Sequence, residues 1–223
     1  MICITGDTHG DFSRFKSKGV RMLKKGDVLI ICGDFGFIWE DSSAERALLK
    51  KIGSQKFMTV FADGCHENYE LLGRYPEEDF CGGKARHIIG NLYHLSRGYI
   101  FNFQGKRFFM FGGGQSAEAE MRRDSHCYWE DELPTGEEMA RGLDNLKNAD
   151  MTVDYIITHE PPGAIKQFLN FETHQISEIH AYFDTLSRDV TFDQWYFGKV
   201  HKNKVIPPKF HCLFDDTLII DTE

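Results

Sequence analysis

Short runs of apolar and β-branched residues recur along the chain, and several of them end at a glycine or at an acidic or histidine side chain. Runs of this length are too short for a typical helix and are expected to form buried strands. The predicted strands of this kind are Ile2–Thr5, Asp27–Cys32, Lys56–Phe61, Val153–Thr158 and Phe192–Gly198. Longer segments with helical patterns separate them, which predicts an α/β arrangement.

Helices are predicted from N-terminal caps and from apolar positions at helical spacing. Suitable caps are Asp11, the capping box of Ser42 and Glu45 before a helix that reaches about Ile52, and the box of Thr135 and Glu138. A further helix face is formed by Ile176, Ile179, Phe183 and Leu186.

Two hairpins are also predicted. Tyr99–Phe103 and Arg107–Phe111 flank a turn at Gln104-Gly105-Lys106, and Phe210–Phe214 precedes Thr217–Ile220 at the end of the chain. Hairpins mixed with alternating strands and helices favour two mixed sheets packed as a sandwich and flanked by helices. We expect a single domain over residues 1–223.

Composition narrows the classes of function. The net charge is −8, the pI is about 5.7, and no basic run is longer than a pair such as Arg122-Arg123, so a stable complex with duplex nucleic acid is not expected. No apolar run is long enough to span a membrane, and the N-terminus does not resemble a signal peptide. The cysteines form no CxxC pair, so we expect reduced thiols and a cytoplasmic location.

Chemically active side chains follow five of the predicted strands. They are Asp7 and His9, then Asp34, then Cys65 and His66, then His159, and finally Lys199 and His201. Each motif is weak when taken alone, because a polar residue after a strand is usually a capped or solvated one. Five such clusters together favour one site, because ligands and catalytic groups of α/β folds gather beyond the carboxyl ends of strands.

Mixtures of Asp and His favour Mn, Fe or Zn ions rather than calcium. A carboxylate can bridge two ions, and two ions can hold both the attacking and the leaving oxygen of a phosphoryl displacement. A bound metal also lowers the pKa of its water, and a nearby imidazole can protonate the leaving group. The clusters therefore predict metal-dependent hydrolysis of a phosphoester, by attack of metal-bound hydroxide, with one or two divalent ions per chain.

The five clusters, which extend over residues 5–201, resemble the signature blocks of calcineurin-like metallophosphoesterases. The segment from Gly112 to Glu138 is also similar to bacterial and phage members. The resemblance implies a four-layer α/β/β/α fold. It implies Asp7, His9 and His201 on the first metal, Asp34 bridging, His159 on the second metal, and His66 as acid or transition-state stabiliser.

Two positions depart from the family pattern, and both belong to the second metal. Cys65 stands where the family has Asn, and it is either a thiolate ligand that favours Zn or Fe or a small buried thiol beside the site. Lys199 stands where the family has His. We hypothesise that it stays charged and partly replaces the second metal; the alternative is that it points to solvent.

Arg122 and Arg123 lie in a segment, Ser116–Pro134, that could form the lip of a substrate site. A guanidinium can bind a phosphate with two hydrogen bonds, but a solvated loop is the alternative. The expected substrate is a small phosphomonoester, phosphodiester or nucleotide. A phosphoprotein, as for a Ser/Thr phosphatase, and a non-catalytic scaffold that binds metal or phosphate are the alternatives.

Overall fold

The computed structural model describes residues 1–170 and 176–220, and it contains two mixed β-sheets. The strands are β1 (Ile2–Thr5), β2 (Val28–Ile31), β3 (Met58–Phe61), β4 (Glu77–Phe80), β5 (Gly83–Ile89), β6 (Leu92–Leu95), β7 (Tyr99–Phe103), β8 (Lys106–Phe111), β9 (Tyr155–Thr158), β10 (Gln194–Phe197), β11 (Lys204–Ile206), β12 (Phe210–Cys212) and β13 (Thr217–Ile220). The first sheet has the order β13-β1-β2-β3-β6-β5-β4 and the second has the order β11-β12-β10-β9-β8-β7.

The described α-helices are α1 (Lys18–Met22), α2 (Ser43–Gly53), α3 (Tyr69–Leu72), α4 (Ala119–Asp124), α5 (Gly136–Asn148), α6 (Gly163–Leu169) and α7 (Glu178–Asp189). All of them except α4 contribute side chains to the apolar layers on the outer faces of the two sheets. Short 3-10 helices are formed by Phe12–Lys16 and Glu130–Glu132. Among the described helices, none has the length and apolar character needed to cross a membrane.

Alternating side chains along the strands produce three apolar layers. Ile30 of β2 and Ile157 of β9 pack together between the two sheets. Leu29 and Ile31, on the opposite face of β2, pack under the helices of the first sheet. Trp195 of β10 packs under the helices of the second sheet. The predicted sandwich of two sheets flanked by helices is therefore confirmed.

Several predicted elements are also confirmed. The capping boxes of Ser42 and Thr135 are both formed, at the starts of α2 and α5. The hairpin of β7 and β8 is formed with its turn at Gln104 and Gly105, whereas Lys106, which was predicted in the turn, begins β8. Asp11 does cap a helix, but that helix is a 3-10 helix rather than an α-helix, and Ile176 lies before α7 rather than on its face.

The predicted C-terminal hairpin is wrong. Its first strand, β12, pairs with β10 and β11 in the second sheet, whereas β13 pairs with β1 in the first sheet. The chain therefore crosses from one sheet to the other after Cys212. Strands β4 to β6 were not predicted, and they extend the first sheet beyond β3.

Candidate metal centre

The carboxyl ends of the parallel strands bring the predicted site residues together. Strands β1, β2 and β3 are parallel neighbours in one sheet, and β8, β9 and β10 are parallel neighbours in the other. The loops after all of these strands except β8 carry the predicted site residues, which are Asp7, His9, Asp34, Cys65, His66, His159, Lys199 and His201. Their convergence at one edge of the sandwich was predicted from the sequence; the role of each residue stays a prediction.

The backbone of this edge is strained at four of the predicted site residues. His9, Asp34, Lys199 and His201 have φ values of 45°, 43°, 65° and 51°. Residues other than glycine seldom adopt this left-handed conformation, and it is concentrated at functional sites, where the surrounding structure maintains it.

Two glycines let the carboxylates approach the neighbouring loops. A Cβ atom at Gly64 would overlap the carboxylate of Asp34, and one at Gly198 would overlap that of Asp7. Gly64 and Gly198 are thus required by space rather than by a turn, because a side chain at either position would displace a buried acid.

One group of four side chains could hold a metal ion. One ligand atom from each of Asp7, His9, Asp34 and His201 lies within 4.8 Å of the others. The Nε2 atoms of His9 and His201 are 2.9 Å apart, and His201 Nε2 lies 3.1 Å from Asp7 Oδ2. The two carboxylates are buried and the two imidazoles are partly exposed, so the group is open to solvent on one side. An open side is typical of catalytic rather than structural metal sites.

His159 completes the buried wall of the site. Its Nδ1 atom lies 3.2 Å from the carbonyl oxygen of Cys32, which favours the tautomer with the proton on Nδ1. Its Nε2 atom is buried, has no hydrogen-bond partner among the described residues, and lies 3.6 Å from Asp34 Oδ1. A buried ring nitrogen without a partner beside a carboxylate is a position where a cation, either a proton or a metal ion, is expected.

The charges of the site also fit a divalent cation. Burial alone would raise the pKa values of Asp7 and Asp34, but the neighbouring imidazoles, above all His159, hold both below their usual range. Burial would lower the pKa of His159, and the two carboxylates outweigh it and raise that pKa. The buried carboxylates therefore attract positive charge, which a divalent ion can supply in place of protons.

Next to this group lies a second one, formed by Asp34, Cys65 and His66. His66 Nδ1 is 3.0 Å from Asp34 Oδ2 and 3.2 Å from Cys65 Sγ. The hydrogen bond to Asp34, with that to Cys65, raises the pKa of His66 to about 10. His66 is partly exposed, whereas Cys65 is buried.

Lys199 does not point to solvent. It is buried, and its Nζ atom lies 3.0 Å from Cys65 Sγ and 2.8 Å from the carbonyl oxygen of Gln115. Its backbone N–H donates to the carboxylate of Asp7. The sequence left two alternatives for Lys199, a charged side chain within the site and a side chain that points to solvent. The position of Lys199 agrees with the first alternative.

The structure separates the two predicted substrate arginines from each other. Arg122 is buried and donates to the carbonyl oxygens of Cys65 and Cys127 at 2.6 and 2.7 Å, and it pairs with Glu132. Its guanidinium therefore holds the loop that carries Cys65. Arg123 is on the surface, where its guanidinium stacks on the ring of Tyr128 at 4.0 Å. Substrate binding by either arginine stays a prediction.

Three further residues contact the segments that carry the site. Arg14 donates to the carbonyl oxygen of Asp7, and Glu67 accepts from the backbone N–H of Phe35, next to Asp34. Glu160, directly after His159, is buried beside Lys199. Arg14 and Glu160 were not predicted from the sequence, whereas Glu67 adjoins His66 in one of the five clusters.

Comparison with models of known protein families gives a match over most of the chain. The sequence model of the calcineurin-like phosphoesterases matches residues 1–203. Among curated proteins, none matches the chain.

Two solved structures show a remote likeness. A phosphopantetheinyl hydrolase from Mycobacterium tuberculosis is 14% identical, with a TM-score of 0.44, over 96% of this chain and 89% of that one. A 5'-nucleotidase candidate from Staphylococcus aureus, solved with alpha-ketoglutarate, is 14% identical with a TM-score of 0.48. That alignment covers 96% of this chain but only 48% of the nucleotidase chain.

Proposed function

The chain belongs to the calcineurin-like phosphoesterase family, and from this premise we propose that it hydrolyses a small phosphomonoester, phosphodiester or nucleotide in a metal-dependent reaction. The observation that carries the proposal is the group of two buried carboxylates and two partly exposed imidazoles within 4.8 Å of one another. Such a donor set suits Mn, Fe or Zn ions.

In this proposal Asp7, His9, Asp34 and His201 hold the ion. When bound, it supplies a Lewis acid for the phosphoryl oxygens and lowers the pKa of a water nucleophile. Asp34 belongs to both groups, so its carboxylate also fixes His66. Asp7, Asp34 and His159 form the buried side of the site, so substrate and water approach from the side of the exposed His9 and His201.

His66 is the proposed general acid. Its Nδ1 atom faces Asp34, so Nε2 is the ring nitrogen directed away from the buried wall, 3.9 Å from a carboxylate oxygen of the exposed Glu118. A protonated imidazole there can donate to the leaving alkoxide, a contribution of roughly 10²–10⁴-fold to the rate. The exposed position agrees with this role, because the leaving group must be able to depart.

The test is turnover of an aryl phosphomonoester and an aryl phosphodiester by purified protein supplied with Mn²⁺, Fe²⁺ or Zn²⁺. We expect hydrolysis of at least one ester and its loss in His201→Ala. His87→Ala is the matched control, because His87 is a histidine outside the site whose ring hydrogen-bonds the Gly90 carbonyl. Metal-loaded protein without turnover of either ester would instead favour the scaffold alternative.

A further inference from the structure

A chain of buried polar groups lies beneath the metal centre and links it to helix α7. Lys199 Nζ is 3.6 Å from Glu160 Oε1, and Glu160 Oε2 is 3.2 Å from His180 Nε2 on α7. His180 Nδ1 is in turn 2.8 Å from Ser177 Oγ at the start of that helix. Lys199, Glu160 and His180 are all buried.

The loop after β8 joins the same chain through its backbone. The carbonyl oxygen of Gln115 accepts from Lys199 Nζ at 2.8 Å, and the N–H of Gln115 donates to Glu160 Oε1 at 3.1 Å. Gly114 makes this approach possible, because a Cβ atom there would overlap the Glu160 side chain. Lys199 is thus directed by a carboxylate and a carbonyl toward the thiol of Cys65.

This arrangement places a fixed positive charge beside the second group of candidate ligands. Cys65 Sγ, which belongs to the group of Asp34, Cys65 and His66, is 3.0 Å from Lys199 Nζ. An ammonium has no lone pair for a metal, and at this distance it repels a divalent ion strongly in a buried site. The group of Asp7, His9, Asp34 and His201 has no lysine among its members.

We propose that Glu160 and His180 are positioning residues that hold Lys199 as a built-in cation against Cys65, so that the chain binds one divalent ion and not two. Glu160 fixes the direction of the side chain, and His180 fixes Glu160. The kinetic part of this inference rests on the proposed hydrolysis, whereas the metal count does not.

The first experiment counts ions per chain by elemental analysis after loading with Zn²⁺ or Mn²⁺ and desalting. We expect one ion in the wild type and two in Lys199→His, where an imidazole replaces the ammonium. Two ions in the wild type, or a single ion in both proteins, would overturn the proposal that Lys199 prevents the binding of a second ion. The result does not depend on whether any substrate is turned over.

The second experiment asks whether Glu160 acts through Lys199. We expect Glu160→Gln to lower kcat roughly 10- to 100-fold, the usual effect of losing a residue that orients an active-site group, with little change in KM. In a Lys199→Met background the same substitution is expected to cause no further loss. An equal loss in both backgrounds would show a merely structural role and overturn the proposal.

Two controls accompany these kinetics. Glu70→Gln makes the same chemical change in an exposed ion pair with Arg74, and it is expected to leave kcat unchanged. His180→Gln retains a donor for Glu160 and is expected to keep kcat close to that of the wild type, whereas His180→Leu is expected to reproduce the loss. If both His180 variants behave alike while folded, as judged by circular dichroism, the positioning role of His180 is refuted.

Discussion

Replacement of Asp34 by Asn removes the charge that the two groups of candidate ligands share, with almost no change in shape. One carboxylate oxygen of Asp34 accepts from the backbone N–H of His66 at 2.8 Å, and an amide oxygen can keep that bond. The other is 3.0 Å from His66 Nδ1 and 3.8 Å from His9 Nε2. The variant is therefore expected to fold and to bind metal poorly.

The size of the effect follows from the charge removed. At about 4 Å and an effective dielectric constant of about 20, two unit charges attract by about 4 kcal/mol. This value counts only one unit of the ion's charge and is therefore a minimum. Because about 1.4 kcal/mol corresponds to a factor of ten, metal affinity is expected to fall at least roughly a thousandfold.

Isothermal titration calorimetry with Mn²⁺ or Zn²⁺ measures this affinity, and circular dichroism checks folding. Asp41→Asn is the matched control, because Asp41 pairs with Arg46 on the surface and its side chain is 54% exposed. Wild-type metal affinity in a folded Asp34→Asn protein would refute the assignment of Asp34 as a ligand.

Three further outcomes are expected. His66→Gln should keep metal affinity and lower kcat by roughly 10²–10⁴-fold, with a larger loss for alkyl than for aryl phosphates, because aryl leaving groups need less protonation. Equal losses for both esters would argue against an acid. Gly198→Ala should displace Asp7 and weaken metal binding in calorimetry, and unchanged binding would contradict the steric argument. Arg97 holds the pKa of buried Asp63 below its usual range, so their ion pair stabilises the fold above the unfolded pKa of about 4 and loses this contribution as the pH falls. Arg97→Met should therefore lower the free energy of unfolding, measured with urea at pH 7, by roughly 3–5 kcal/mol. It should also make this free energy fall less steeply toward acid pH. A variant with the same dependence of stability on pH as the wild type would contradict the reasoning.

The sequence could predict the strands that end at the site because each is a short apolar run closed by a polar motif. Strands β4 and β5 carried no such signal. β4 reads Glu77-Glu78-Asp79-Phe80 and lies at an exposed edge of the first sheet, where charged residues are tolerated and discourage further pairing.

Pairing of the C-terminal strands depends on partners that are distant in sequence. Leu218 of β13 faces Ile4 of β1, and His211 of β12 faces Tyr196 of β10. Two neighbouring apolar runs separated by a polar turn are typical of a hairpin, and only the tertiary structure directs them to different sheets. The terminal hairpin was predicted for this reason and was wrong.

The members of the site could be predicted, but most of what surrounds them could not. Asp7, Asp34 and His159 lie within three residues of strand ends, so their convergence follows from the topology. Burial of Arg122 under Cys65 and contact of His180 with Glu160 depend on how a loop and a helix pack over the strand ends. Such contacts cannot be predicted from a local pattern in the sequence.

The central claim is that the strand-end site hydrolyses phosphoesters with a metal ion. The most direct measurement strips the protein with a chelator, returns Mn²⁺, Fe²⁺ or Zn²⁺ in steps, and follows hydrolysis of aryl phosphoesters together with bound metal. The account predicts no turnover in the stripped protein and a rate that rises in proportion to occupancy of the group of Asp7, His9, Asp34 and His201. Turnover that persists without metal, or a fully loaded site without turnover of any ester, would contradict it.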